Sequence, residues 1–329
     1  MDRVIPESHL LLNLSAKPST AKTSDNSSYI LKLDNRLAWN LTATDGAAEW
    51  LKRLAAVLEL EAGGSASAET VWFTRRAAGS TWYGGSDGQP APDMASSVSV
   101  QGCRPCDLGV LCLWSCPGRE EFVGELPDLD PGQPRLDILM MSQCLHFVHD
   151  KALNFGGVPF HAALVELSGK GLLLAGPGGI GKSTCCRRLP GHWKVWCDDE
   201  SLVLPDESGR LVAHPFPTWK DQPVPSSKTW PVGDRVPLSA IFFLDRAEAD
   251  GALPLGRGEA ATRINLSAMQ ICFLHLEYLS SDEQRAWRKR IFDNACCLAD
   301  SVPAFVLRVS PTGPFWQEME RALETLSRS

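Results

Sequence analysis

The sequence predicts an α/β protein with a smaller α+β module on its N-terminal side. Three observations carry that expectation. Beyond residue 131, apolar strand-like runs alternate with segments of helical spacing, the pattern of a layered α/β domain. One of those runs, GLLLA (171–175), leads directly into a glycine loop that opens a helix. LDPGQPRL (129–136) separates this region from the shorter stretch before it by Pro and Gly punctuation. The expected organisation is a flexible N-terminus over 1–28, a small α+β module over 29–130 and a larger domain over 131–329.

Residues 1–28 are polar and rich in Ser and Thr, a composition that buries too little to order itself. Residues 29–35 and RLAWNLTA (36–43) read as strands. AAEWLKRLAAVLEL (47–60) has apolar residues at helical spacing among strong helix formers. ETVWFTRR (69–76), GVLCLWSC (109–116) and REEFVGELP (119–127) read as further strands. LDILMMSQCLHFVHDKAL (136–153) reads as one long helix. His146 and His149 lie three apart on it, a spacing that can share a metal, but nothing nearby completes a ligand set, so packing is the reading.

VPFHAALVEL (158–167) is expected as a strand, SGKG (168–171) as a turn, GLLLA as a second strand. A short helix follows the glycine loop and ends at Pro190-Gly191. KVWCDDE (194–200) is a strand ending in acids. SLVLP (201–205), a DESG turn and RLVAHPF (210–216) form a hairpin. LSAIFFLD (238–245) is a buried strand, 266–279 and 281–300 are helices, PAFVLRVS (303–310) is a late strand, and PFWQEMERALETL (314–326) is a closing helix.

The formal charge of −7 argues against a broad nucleic-acid or anionic-membrane footprint. No apolar run reaches membrane-spanning length, and the start lacks a basic segment followed by a long apolar one, so a cytoplasmic location is expected. Of the eleven cysteines, Cys185-Cys186 and Cys296-Cys297 are vicinal and unsuited to bridging within the pair. Cys103, Cys106, Cys112 and Cys116 could hold zinc or an iron–sulfur cluster. Their second pair is too close for the usual two-knuckle spacing, which favours plain thiols in a strand-and-turn region.

GPGGIGKST (176–184) fits two phosphate-binding signatures at once. Gly176, Gly178 and Gly181 fit the dinucleotide fingerprint, and Asp198 lies about where an acid would hold a ribose. Gly176, Gly181, Lys182 and Ser183 fit the P-loop, or Walker A motif. Lys182 and Ser183 decide for the P-loop. There the lysine neutralises terminal phosphates and the hydroxyl ligates Mg²⁺, whereas the dinucleotide motif has no use for either. The hairpin strand before the glycine strand also departs from the dinucleotide unit. An acid at the end of a neighbouring strand should complete such a site. Asp245, ending AIFFLD, is one candidate. Asp198 and Asp199, ending KVWCDD, are the other; one can hold Mg²⁺ while its neighbour takes a proton from an attacking hydroxyl.

FHAALVELSGKGLLLAGPGGIGKST followed by HWKVWCDDE resembles the catalytic core of the HPr kinase/phosphorylase family, which shares its P-loop variant with phosphoenolpyruvate carboxykinases. The resemblance covers residues from about 155 to 216. It implies an HPr-kinase C-terminal-domain/PEP-carboxykinase-like P-loop core and an ATP- and Mg²⁺-dependent kinase. Carried across, Gly176, Gly178, Gly179, Ile180, Gly181, Lys182, Ser183 and Thr184 would hold the phosphates. Ser183 and one acid, Asp199, would hold Mg²⁺; Asp198 would be the general base, and His161 would assist near the γ-phosphate. The bacterial family's glutamate-arginine-glycine signature after the acids is missing; HPFPTWKDQP (214–223) stands there, with Asp221 and Arg263 as weak substitutes. That departure puts the HPr substrate in doubt.

FHAALVE, the Asp-Asp end, HPFPTW and VPAFVLRVSPTGPFW are more similar to the shorter HPr-kinase-like proteins of ribosomal-peptide (RiPP) maturation cassettes, such as the SynChlorMet type. Those stand beside radical-SAM enzymes and peptide-recognition proteins. The resemblance implies a Ser or Thr hydroxyl of a peptide or small protein as acceptor, radical-SAM enzymes as partners, and a peptide- or partner-binding N-terminal module. The alternative is a non-catalytic nucleotide-binding regulator or chaperone of a peptide-modification complex. HPr kinases form hexamers, so a homo-oligomer is one expectation, which the altered segment leaves open.

Overall fold

The computed structural model describes residues 28–66, 68–75, 103–115, 121–127, 134–219, 228–276 and 279–327. The expectation of a flexible N-terminus concerns residues that, save Ser28, lie outside this set. The same holds for Asp221, Cys116 and residues 128–133, within the expected boundary.

The first half contains β1 (Tyr29–Lys32), β2 (Ala38–Ala43), α1 (Ala48–Val57), β3 (Glu61–Ala62), β4 (Glu69–Arg75), β5 (Arg104–Asp107), β6 (Cys112–Ser115) and β7 (Glu121–Leu126). The seven strands form one sheet in the order β3-β1-β2-β4-β7-β6-β5. Only the β2–β4 and β4–β7 pairs are parallel. Trp50, Leu51 and Leu54 form the buried stripe of α1, and Trp50 meets Phe73 of β4 at 5.1 Å between ring centres.

Two helices follow, α2 (Pro134–Cys144) and α3 (His146–Asn154). The single helix expected here breaks at Leu145. Its N–H turns to the Ser142 carbonyl, a three-residue step that tightens the turn. The break lets α3 wedge between the two halves of the molecule. Phe147 packs on Trp39, Lys151 pairs with Glu69 at 2.7 Å, and His149 faces Glu200.

The second half comprises β8 (Val158–Phe160), β9 (Ala162–Leu167), β10 (Lys170–Ala175), α4 (Lys182–Arg188), β11 (Lys194–Cys197), β12 (Glu200–Pro205), β13 (Leu211–Phe216), β14 (Val236–Arg246), β15 (Gly251–Pro254), α5 (Arg257–Leu276), α6 (Ser281–Ser301), β16 (Ala304–Val309) and α7 (Phe315–Leu326). The strands join in the order β11-β9-β10-β14-β13-β12-β8, with β16 also beside β14 and β15 beside β16. β10–β14 and β14–β16 are parallel, so the fold is mixed α/β with mixed sheets.

The central strands read as continuous apolar runs because helices cover both of their faces. Leu173, Ala175, Ile241 and Phe243 meet Ile264 and Ala268 of α5 and Ile291 and Ala295 of α6. Leu172, Leu174, Phe242 and Leu244 meet Cys185 of α4 and Phe315, Met319 and Leu323 of α7. The period-two alternation of side chains thus sorts residues between two apolar layers. The α5–α6 layer continues without interruption into the core of the seven-stranded sheet.

Two other differences from the sequence reading matter for the site. The strand expected over 158–167 is two strands that part at His161. Phe160 pairs with Ser201, whereas Ala162 pairs with Ala175. The helix expected from 266 begins nine residues earlier, at Arg257, and takes in TRINLS. The SGKG turn is tight, with Ser168 at φ 51° and Gly169 at φ 78°, the two positive dihedrals of a type I′ hairpin.

Candidate functional site

Ala175 ends β10, and the next residues leave the sheet as the glycine loop. Gly179 (φ 78°) and Gly181 (φ 121°) hold backbone conformations that a side chain would strain, and Gly181 leads straight into α4. The chain must turn this sharply for successive N–H groups to line a concavity able to take an anion.

Lys182 opens α4 and is buried, 6% exposed. A buried ammonium needs acceptors, and it finds them at the loop's own carbonyls, Gly176 at 2.9 Å and Pro177 at 3.5 Å. Its third contact is His161 Nε2, at 2.9 Å. His161 stands at the parting of β8 and β9, so its ring leaves both strands at the mouth of the loop. Its backbone N–H donates to Ser267 Oγ at 3.0 Å.

The two acids occupy the corner between β11 and β12. The corner is pinned by Cys197, whose thiol donates to the Glu200 carbonyl, and by Ser201, whose hydroxyl donates to the Ala162 carbonyl. Burial pushes the Cys197 thiol up to about 11, so it stays protonated and inert. Asp199 Oδ1 lies 3.0 Å from His161 Nε2. Asp198 accepts from Thr218 Oγ1 at 2.6 Å and from the Ser183 hydroxyl, and pairs with Lys228 Nζ at 3.4 Å. Burial works to raise the Asp198 carboxyl. The Thr218 and Ser183 hydroxyls and the Lys228 ammonium outweigh it, so Asp198 is held below its ordinary value and stays ionised.

The expected residues therefore converge, with one difference in pairing: Ser183 meets Asp198 rather than Asp199, and His161 meets Asp199. Thr184 faces outward, where its hydroxyl accepts from Arg187. Asp245 is exposed and makes no side-chain hydrogen bond among the described residues. Arg263 pairs with Glu259 on its own helix, at 2.8 Å. His146 stacks on Trp287 at 5.0 Å, and burial, with neighbouring His149, pushes it down to about 3. His149 Nε2 lies 3.0 Å from Glu200 Oε1; both side chains are buried packing groups. Cys103 is disulfide-bonded, while Cys106 and Cys112 are thiols outside any disulfide. No cluster of three or more potential metal-ligating His, Cys, Asp or Glu exists among the described residues.

Sequence reasoning missed Arg246, Thr218 and Lys228. Arg246 follows Asp245 and donates to the loop carbonyls of Gly179 at 2.5 Å and Ile180 at 3.3 Å. Its signal was a basic residue at the end of the strand beside the glycine strand. Thr218 lies in HPFPTW, which carried the cassette resemblance without a role for it, and Lys228 carries no pattern of its own.

A glycine loop with its lysine, an upstream histidine and a downstream acid pair are the features of an HPr-kinase-like protein. Consistent with that class, 61 residues are 34% identical to the HPr kinase/phosphorylase of Mycoplasma mycoides subsp. mycoides SC. The match takes in 18% of this chain and 20% of the relative, so the chain spans about a fifth of the length of the curated relative it matches. Residues 128–324 match the family described as SynChlorMet cassette protein ScmC, and the chain belongs to that family. The match contains every site residue named above. Among the described residues, no helix is long and apolar enough to cross a membrane.

Proposed function

We propose that this chain is an ATP- and Mg²⁺-dependent kinase that transfers the γ-phosphate to a Ser or Thr hydroxyl of a peptide or small protein, within a peptide-maturation cassette. The observation that carries the reading is the polar network from Lys182 through His161 to Asp199, with Ser183 and Asp198 beside it. Gly176 to Ser183 would cradle the phosphates, with Lys182 exchanging the carbonyls it now holds for phosphate oxygens.

The donor set fits Mg²⁺. A hydroxyl beside an ionised carboxylate supplies the hard oxygen donors that this ion takes. Ser183 and Asp198 would hold the ion, which would neutralise charge on the triphosphate. Asp199, 3.0 Å from His161 Nε2, would then accept the proton of the acceptor hydroxyl. The acceptor oxygen forms its bond to the γ-phosphorus as the bond to the β–γ bridging oxygen breaks, and ADP leaves. This assignment exchanges the roles that the resemblance alone implies for the two acids. The core would be the HPr-kinase/PEP-carboxykinase type, with the seven-stranded sheet as a module for peptide or partner enzymes, radical-SAM proteins among them.

A second reading is a nucleotide-binding regulator without phosphoryl transfer. The Lys228–Asp198 ion pair favours it, because it engages one of the two acids. The test is incubation with γ-labelled ATP, Mg²⁺ and the cassette's precursor peptide. Label on a peptide hydroxyl, lost in Asp199→Asn, supports the kinase; tight ATP binding with no transfer refutes it.

A further inference from the structure

His161 is gripped from the side opposite the acids by α5. Besides the Ser267 hydroxyl on its backbone, its ring Nδ1 lies 2.5 Å from Gln270 Oε1. Ser267 is buried, and Gln270 lies three residues further on, just under one helical turn, at the solvent edge of the site. Ring Nε2 faces Lys182 Nζ at 2.9 Å and Asp199 Oδ1 at 3.0 Å.

The orientation of the Gln270 amide is not free. Its Nε2 faces the Leu266 carbonyl at 3.5 Å. An NH₂ group suits that carbonyl; the amide oxygen there would set acceptor against acceptor. The oxygen therefore turns to His161 and accepts, and Nδ1 must carry a proton. A neutral imidazole has one N–H, so its lone pair is left on Nε2. There it accepts from the Lys182 ammonium. At the same nitrogen Asp199 Oδ1, an acceptor, makes the opposite demand, so it is the Gln270 oxygen at Nδ1 that decides the tautomer.

We infer that Gln270 is a positioning residue that fixes His161 as the Nδ1–H tautomer and presents its Nε2 lone pair to Lys182. Gln270 touches neither Lys182 nor the acids in any contact described above; it acts through the ring. Its consequence for transfer rests on the kinase reading, whereas the tautomer does not.

The experiment uses the full chain with ¹⁵N-labelled histidine imidazoles, His161 being assigned by comparison with His161→Asn. Long-range ¹H–¹⁵N correlation reads which ring nitrogen bears the proton. Gln270→Leu removes the acceptor; Gln270→Glu keeps an acceptor oxygen at the same reach. Wild type and Gln270→Glu should give the Nδ1–H pattern, and Gln270→Leu should move toward Nε2–H. Transfer by Gln270→Leu should fall about 10- to 100-fold in kcat with KM for ATP unchanged, the usual cost of removing a group that orients a functional histidine. Gln270→Glu should recover part of it. An Nε2–H ring in wild type, or an unchanged ring in Gln270→Leu, overturns the inference. The expected ring patterns in a wild type that transfers no phosphate uphold the tautomer and overturn the kinase reading.

Discussion

Asp198→Asn and Asp199→Asn separate the two acids. Asp199→Asn removes the carboxylate 3.0 Å from His161 Nε2 and puts a neutral amide there. A positioned general base contributes about 10²–10⁴ in rate, about 3–5.5 kcal/mol of barrier. The kcat of Asp199→Asn should therefore fall at least about 100-fold at every Mg²⁺ concentration. Asp198→Asn should behave differently. The amide oxygen still accepts from Thr218, and the lost partner Lys228 has a side chain 58% exposed, so that pair contributes less than about 1 kcal/mol. The variant should fold with nearly unchanged stability. What it loses is the charge beside Ser183, so the Mg²⁺ concentration for half-maximal transfer should rise about tenfold or more. The assay is labelled-ATP transfer over a Mg²⁺ titration, with thermal melts as control. The reverse outcome, Mg²⁺ rescue of Asp199→Asn and none of Asp198→Asn, would refute the division of roles.

Replacing Arg246 by Met removes both donors to the Gly179 and Ile180 carbonyls, and a looser loop should bind ATP about tenfold more weakly, read by titration calorimetry. Gly157→Ala would place a methyl 2.6 Å from Leu204 Cδ2 and 2.7 Å from the Ala152 carbonyl, and should cost about 1–3 kcal/mol in denaturant melts. Asp206, in the DESG turn, is held down at about 2, chiefly by the Ser208 hydroxyl and also by the Arg210 and Ser208 N–H groups. Because its folded value lies below the unfolded one, its stabilisation is present above about pH 4 and is lost as the pH falls toward 2. Melts of Asp206→Ala should therefore fall below wild type at neutral pH and converge with it in acid.

Elements whose determinants are local were readable from the chain. The SGKG and DESG turns, the apolar run of β10, the amphipathic α7 and the start of α4 after Gly181 each depend on residues within a few positions of one another. Two local readings failed where tertiary contacts overrode the pattern. VPFHAALVEL has strand character throughout, yet it divides at His161 because β12 pairs with one end and β10 with the other. The helix over 136–153 breaks at Leu145 so that α3 can serve the cores of both sheets.

By itself the sequence determined the glycine loop that opens α4. Glycines, lysine and serine lie within nine residues, and chain stereochemistry carries them to one concavity whatever surrounds it. It also supplied the upstream histidine and the doubled acid, through their spacing in the resembling family. Only the tertiary structure decided their pairing: Ser183 with Asp198, His161 with Asp199, and Gln270, 109 residues from His161, closing the ring's other side. It also left Asp245 exposed and brought Arg246 to the loop. The reason is strand order. β11 lies on the outer edge of β9 while β14 lies beside β10, and that order follows from the burial of two apolar faces across the whole domain. No local spacing encodes such an arrangement, because the contacts that fix it join residues far apart in the chain.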